Sequence, residues 1–172
     1  MSRTAPALDP SRRALMFSGA ALGLFALARS KAHAADPAQA FANSPFRKLT
    51  EADWRKRLPG ASFDVLRQEG TEYPGTSPLL NEHRKGLFAC LGCDLPLFRS
   101  DWKFDSHTGW PSFYRAIDGA LGFKRDLKIG MERKEYHCAR CLGHQGHVFD
   151  DGPAPTGLRY CNNGVALKFV PV

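Results

Sequence analysis

The sequence predicts a mainly β fold of short antiparallel strands pinned by one metal site. Two observations carry that prediction. From Gly86 onward, apolar or alternating runs of a few residues are broken by Gly, Pro, Asp and Asn, a pattern of strands joined by tight turns. Within the same stretch, Cys90-Leu91-Gly92-Cys93 and Cys138-Ala139-Arg140-Cys141 form two CxxC pairs, and two such pairs can supply the four thiolates of a tetrahedral zinc site. With 172 residues, of which 43% are hydrophobic, and 24 basic against 17 acidic side chains, the chain has the length of one domain and too much apolar content to stay disordered.

The first 34 residues stand apart. They hold Arg3, Arg12, Arg13, Arg29 and Lys31 against Asp9 alone, and they enclose an apolar run from Ala14 to Ala28. That run is shorter than the roughly 20 residues needed to span a bilayer and reads as the hydrophobic region of an export signal. Ser11-Arg12-Arg13 before it resembles a twin-arginine signal, and Ala32-His33-Ala34 offers a small-x-small cleavage pattern. A mature chain would start near Ala35 in the periplasm or another exported location, with no stable membrane insertion after cleavage. An uncleaved anchor or an N-terminal amphipathic helix competes with that reading. Removing the segment leaves 19 basic against 16 acidic residues, so the net charge drops from +7 to +3. Lys and Arg scattered at that density give no stripe for nucleic acid.

Residues 35–48, with Pro37, Asn43, Ser44 and Pro45, are expected as an N-terminal arm, and residues 49–172 as the domain. One or two short helices are expected near its start. Thr50-Glu51-Ala52-Asp53 begins one, with Thr50 as cap and acids in the first turn, and Leu58-Pro59-Gly60 stops it. Phe63, Val65 and Leu66 suggest a strand. The stretch from Gly70 to Gly86, with Tyr73-Pro74-Gly75 and Ser77-Pro78, reads as a long loop. Further strands are expected at 86–89, 97–99, 121–124, 127–136, 146–149, 158–161 and 165–170. The chain contains no heptad pattern and no phosphate-binding glycine loop.

Four thiolates from Cys90, Cys93, Cys138 and Cys141 close a coordination shell, so a zinc ion there would stabilise the fold and leave no open position for substrate. Gly92 and Gly143 suit the tight backbone of the two knuckles. His137 and His144 lie beside the second pair, but four sulfurs already fill the shell. Two disulfides or a redox CxxC are the competing readings; a CxxC disulfide closes too small a loop to staple a fold. Export to an oxidising compartment threatens free thiols, a difficulty that a route carrying folded proteins would remove. Cys161, in Arg159-Tyr160-Cys161-Asn162-Asn163, is left over. It is either a buried structural thiol or a nucleophile, with Arg159 favouring its thiolate and His144 and His147 able to move a proton.

From about Phe63 to Phe169 the chain resembles the B-type methionine sulfoxide reductases, which act on the R epimer at sulfur. The resemblance rests on the CxxC pairs, Gly109-Trp110-Pro111-Ser112-Phe113, His144-Gln145-Gly146-His147-Val148-Phe149, Asp151-Gly152-Pro153 and Arg159-Tyr160-Cys161-Asn162-Asn163. It implies two antiparallel β-sheets and one structural zinc. It further implies Cys161 as nucleophile, with Trp110 and Phe113 contacting the substrate and His144, His147 and Asn163 around the sulfoxide oxygen. Asp151 and Arg159 would support that cluster. The implied products are methionine and a sulfenic acid on Cys161. Two departures stand out: Thr108 occupies the place of the resolving cysteine found in many relatives, and Gln145 stands where relatives usually have an apolar residue. The implied partners are oxidised proteins or free methionine sulfoxide as substrate and an external thiol, thioredoxin-like or small, as reductant, acting on a monomer. A zinc-ribbon binding module with a structural Cys161, or an oxidoreductase in which one CxxC cycles, are the alternatives from other classes.

Overall fold

In the computed structural model, residue 1 and residues 37–172 are described; the expected export signal lies outside the described residues. Among the described residues, three short α-helices precede the sheets: α1 (Pro37–Ala40), α2 (Glu51–Arg57) and α3 (Gly60–Gln68). Thr50 caps α2 through a reciprocal pair, its hydroxyl accepting from the Asp53 N–H while the Asp53 carboxylate accepts from the Thr50 N–H. Proline at position 59 ends that helix and caps the next. The strand expected around Phe63 is helical instead. Phe63 and Leu66 lie three apart on one face of α3, where Val65 and Ser62 are buried beside them. Glu69, with φ of 56°, ends α3. Among the described residues no helix is long and apolar enough to cross a membrane.

Nine strands follow: β1 (Gly86–Cys90), β2 (Pro96–Arg99), β3 (Lys103–Phe104), β4 (Ser112–Phe113), β5 (Leu121–Asp126), β6 (Arg133–Cys138), β7 (His144–Phe149), β8 (Arg159–Asn162) and β9 (Leu167–Pro171). They form two antiparallel sheets, one ordered β2-β1-β9 and the other β3-β4-β8-β7-β6-β5. The strand expected over 127–136 begins only at Arg133. Residues 127–132 make the turn of the β5–β6 hairpin, which Asp126 starts by accepting from the Lys128 N–H and in which Gly130 takes φ of 76°. The two-residue strands β3 and β4 are too short to show alternation in the sequence.

The sheets meet across an aromatic core. Phe98 stacks on Phe113 at 4.2 Å, Phe88 meets Phe113 edge-on at 4.9 Å, and Tyr136 meets Tyr160 at 5.5 Å. Such pairs add roughly 0.5–1.5 kcal/mol each beyond their buried area. Within the segment expected as an arm, Phe41 and Phe46 pack against this core, and Arg47 donates to the carbonyls of Ala38 and Ala139.

Candidate active site and metal centre

The larger sheet gathers the chemically competent side chains because its register sets them in one row. Ser112 pairs with Cys161, Cys161 with His147, His147 with Glu135 and Glu135 with Lys124. Directly opposed residues on neighbouring strands share a face, so these five form a polar ladder across β4, β8, β7, β6 and β5. The next row on the same face carries Arg159 opposite Phe149 and Arg133 opposite Asp126. Phe113 and Tyr160 point the other way, into the core.

A β-bulge brings His144 to the same face as His147. Residues three apart on a regular strand face opposite sides, yet the two imidazoles lie 5.5 Å apart. The register between β6 and β7 shifts after Tyr136, so that Gly146 faces Tyr136 but His144 faces His137, leaving Gln145 as the extra residue. Gly146 is obligatory there: a Cβ would sit 1.9 Å from the Cys161 carbonyl oxygen.

Cys161, His147, Trp110, Phe149, Arg133 and Asn163 line a pocket of about 130 Å³. The Trp110 indole is held by its Nε1–H donating to the Glu72 carbonyl at 3.1 Å. Asn163 is fastened on both ends, accepting from the Glu72 N–H at 3.0 Å and donating to the Gln145 carbonyl at 3.0 Å. Arg159 forms a bidentate pair with Asp151, both bonds 2.8 Å, and lies two residues before Cys161 on β8, on the same face. Burial pushes the Cys161 thiol above its ordinary range, and Arg159 pulls it back.

His147 Nε2 lies 2.8 Å from Asp126 Oδ2. The Asp126 carboxyl is held far below the usual range, first by the Lys128 N–H and then, against its burial, by His147 and Arg133. It is therefore a carboxylate that only accepts, which fixes the proton of His147 on Nε2 and leaves Nδ1 with a lone pair. Burial lowers the His147 pKa further, so the neutral imidazole is the resting form. His144, 2% exposed, lies behind it with Nδ1 3.0 Å from Glu135 Oε1, an approach off the hydrogen-bond direction.

Two expected site residues are placed elsewhere. Phe113 is fully buried and stacked on Phe98, away from the pocket, because it follows Ser112 on a strand and successive side chains alternate faces. Phe149 takes the apolar position at the pocket. His144 contacts His147 rather than lining the pocket.

Away from the pocket lining, the two knuckles converge. The four sulfurs lie within 4.8 Å of one another, with Cys90 and Cys141 at 3.6 Å and Cys93 and Cys138 at 3.4 Å. A tetrahedron with metal–sulfur bonds of about 2.3 Å has edges of about 3.8 Å, so the donor set fits zinc. Each knuckle closes by an N–H of the residue after its second cysteine, Asp94 to Cys90 and Leu142 to Cys138, both 2.9 Å. Those residues, not the glycines, take the left-handed conformation, with φ of 64° and 61°. Gly92 and Gly143 serve close packing: a Cβ on Gly143 would come within 2.8 Å of Leu66. Arg57, Arg67, Arg140 and Arg47 donate to carbonyls of the knuckles, setting positive charge around the four sulfurs. Gln145, the bulge residue, donates its amide to Cys90 Sγ at 3.4 Å.

Residues 58–171 match the model of the SelR domain family. The chain belongs to that family. It is 51% identical over 130 residues to a peptide methionine sulfoxide reductase MsrB of Agrobacterium fabrum, covering 75% of this chain and 96% of that protein. The corresponding protein of Pseudomonas putida is 52% identical over 123 residues, covering 71% and 92%. The chloroplastic peptide methionine sulfoxide reductase B1 of Arabidopsis thaliana is 48% identical over 134 residues, covering 77% of this chain and 66% of that protein.

Glu72, Asp126, Arg133 and Glu135 are residues of this SelR domain's site that sequence reasoning passed over. Glu72 lies in what reads as loop, and its carboxylate accepts from the N–H groups of Gly164 and Val165. Asp126 and Glu135 face the histidines only through the β5–β6–β7 register, and no local motif in the sequence signals that.

Proposed function

We propose that this SelR-domain chain reduces methionine (R)-sulfoxide, free or in proteins, to methionine. The observation that carries the reading is the placement of Cys161 directly opposite His147 in a pocket walled by Trp110, in a chain about half identical to proteins named peptide methionine sulfoxide reductases. An indole face offers an apolar, polarisable contact to an S-methyl group.

In the proposed reaction, the lone pair of His147 Nδ1 takes the Cys161 thiol proton, and Asp126 stabilises the imidazolium so formed. The thiolate attacks the substrate sulfur and His147 returns the proton to the sulfoxide oxygen. Oxygen then passes to Cys161: one thiol and one sulfoxide become one sulfenic acid and one thioether, with no other proton or electron needed. Arg159 steadies the thiolate and Asp151 steadies Arg159. The four other cysteines sit together in the metal-binding cluster, so we assign the reduction of the sulfenic acid to an external thiol. The tetrad would hold one zinc ion, which supplies no open coordination position and acts on stability alone. Export through a twin-arginine-type signal rests on the pattern of residues 1–34.

Supplying racemic methionine sulfoxide with dithiothreitol and resolving the epimers tests the reading. The R form alone should disappear, and Cys161→Ser should stop it with metal content unchanged. Equal loss of both epimers, or activity surviving Cys161→Ser, would overturn it.

A further inference from the structure

Of the three methionines, Met1 and Met16 fall within the first 34 residues, and Met131 is the only one beyond them. It stands in the turn between β5 and β6, where Leu127, Ile129 and Met131 are 61%, 60% and 60% exposed. The turn is tied by the Leu127 carbonyl accepting from the Gly130 N–H and by the Arg125–Glu132 and Arg133–Asp126 ion pairs. Gly130, directly before Met131, takes φ of 76° and has open space where a Cβ would stand. The thioether is therefore carried on a narrow tip, open to an oxidant in solution and to the surface of a second protein.

A thioether in that setting is oxidised by peroxide to the sulfoxide. Hydrogen peroxide passes one oxygen to sulfur: the O–O bond breaks, an S–O bond forms and water leaves. Approach from either side of the exposed sulfur gives both epimers. The R epimer is the group that Cys161 is proposed to reduce, so the turn carries a substrate for the chain's own chemistry.

The pocket of the same chain is out of reach. Cys161 shares a row with His147 and Glu135, which puts it two strands from β6, about 10 Å across the sheet. Arg133 stands two residues before Glu135, about 7 Å along β6, and Met131 lies beyond Arg133 in the turn. One methionine and one cysteine side chain do not bridge that separation, whereas a second copy can present its pocket to the tip directly.

We infer that Met131 is an oxidation site of this chain and that its R-sulfoxide is reduced by Cys161 of a second copy. The molecule then supplies one of its own protein-bound substrates. The inference rests on the proposed function. In the repair step the Cys161 thiol and the Met131 sulfoxide become a sulfenic acid and a thioether. An external dithiol returns Cys161 to the thiol as its own two sulfurs join in a disulfide, with water released.

The test uses two full-length, metal-loaded proteins. An isotope-labelled Cys161→Ser chain, which cannot carry out the repair, is treated with hydrogen peroxide until its Met131 peptide has gained one oxygen by mass. The peroxide is removed, and unlabelled wild type is added with dithiothreitol and free methionine (R)-sulfoxide. The labelled Met131 sulfoxide should fall about twofold, to a plateau of the S epimer, and should not fall when unlabelled Cys161→Ser replaces wild type. Cys161→Ala serves as the labelled chain should Cys161→Ser fold poorly. Consumption of the free (R)-sulfoxide with the labelled Met131 sulfoxide unchanged overturns the inference and leaves the proposed function standing. Persistence of both overturns the two together. A Met131 peptide that gains no oxygen at a peroxide dose that oxidises free methionine also overturns the inference.

Discussion

Replacing Glu72 by alanine tests whether the loop before β1 holds the pocket wall. Glu72 binds four ways: its carboxylate accepts from the Gly164 and Val165 N–H groups, its own N–H donates to Asn163 Oδ1, and its carbonyl accepts from the Trp110 indole. Alanine keeps the two main-chain bonds and removes the two made by the carboxylate. Gly164 is buried and loses its acceptor outright, whereas Val165 is half-buried. A buried donor left unpaired costs about 1–3 kcal/mol. Against that, burial raises the Glu72 carboxyl above its ordinary range in spite of the two N–H groups that lower it. The ionised side chain therefore carries a desolvation cost that alanine abolishes. The expected balance is a loss of about 2 kcal/mol. Glu72→Gln keeps one acceptor oxygen without the charge and should lie between alanine and wild type. Because the folded carboxyl is raised, wild-type stability should also fall slightly as pH rises just above the ordinary glutamate value of about 4.3, a component Glu72→Gln should lack. Urea unfolding reads the stability, and the KM for methionine sulfoxide, expected to rise in Glu72→Ala, reads the wall. An alanine variant within about 0.5 kcal/mol of wild type and with unchanged KM would refute the reasoning.

Other perturbations act on separate parts of the site. Gly146→Ala puts a Cβ 1.9 Å from the Cys161 carbonyl oxygen, so β7 and β8 must part; a loss of about 3 kcal/mol is expected in thermal or urea unfolding, and an unchanged melt would count against the close approach. The depressed Asp126 carboxyl contributes stability that is complete above the ordinary aspartate value of about 3.9 and is lost as pH falls through the lower folded value. Asp126→Asn should therefore weaken the protein at pH 7 and flatten its acid unfolding; an acid limb as steep as wild type would assign the pH dependence elsewhere. Cys93→Ser removes one ligand of a site whose metal binding is worth on the order of 10–16 kcal/mol in small zinc peptides, comparable to a domain's whole stability. It should abolish metal content and near-UV circular dichroism together, and retention of either alone would separate metal from fold.

What was legible in the sequence was chemistry that lies within a few residues. The CxxC pairs, the histidines at 144 and 147 and the segment around Cys161 announce themselves by type and spacing. Strands of four to six residues, such as β1 and β8, were readable because their flanking turns carry Gly, Pro or Asp. What failed was information held in pairing. The run Phe63, Val65, Leu66 suits a half-buried strand or a short helix equally well, and contact with the knuckles decides for the helix: Leu66 packs on Gly143. Phe113 sits beside Ser112 in the motif, yet strand alternation sends Phe113 to the core and Ser112 to the sheet face that carries Cys161. Asp126 and Glu135 reach the histidines from a neighbouring hairpin, a relation that only the register creates.

The β7 bulge joins the two halves of the molecule, and Gln145 is the residue through which it does so. Its amide binds Cys90 at the metal cluster, while its carbonyl accepts both the N–H and the side-chain amide of Asn163 next to the pocket. Its Oε1 is buried without a partner, a cost that an apolar side chain would avoid. If the amide matters for the thiolate it touches, Gln145→Leu should speed zinc release to a chelator. The main-chain bonds to Asn163 survive that change, so turnover of methionine sulfoxide should stay near wild type. Gln145→Gly, which frees the backbone of the bulge, should instead lower turnover as Asn163 loosens. Equal turnover losses in the two variants would mean that the side chain, rather than the bulged backbone, carries the link between metal and pocket.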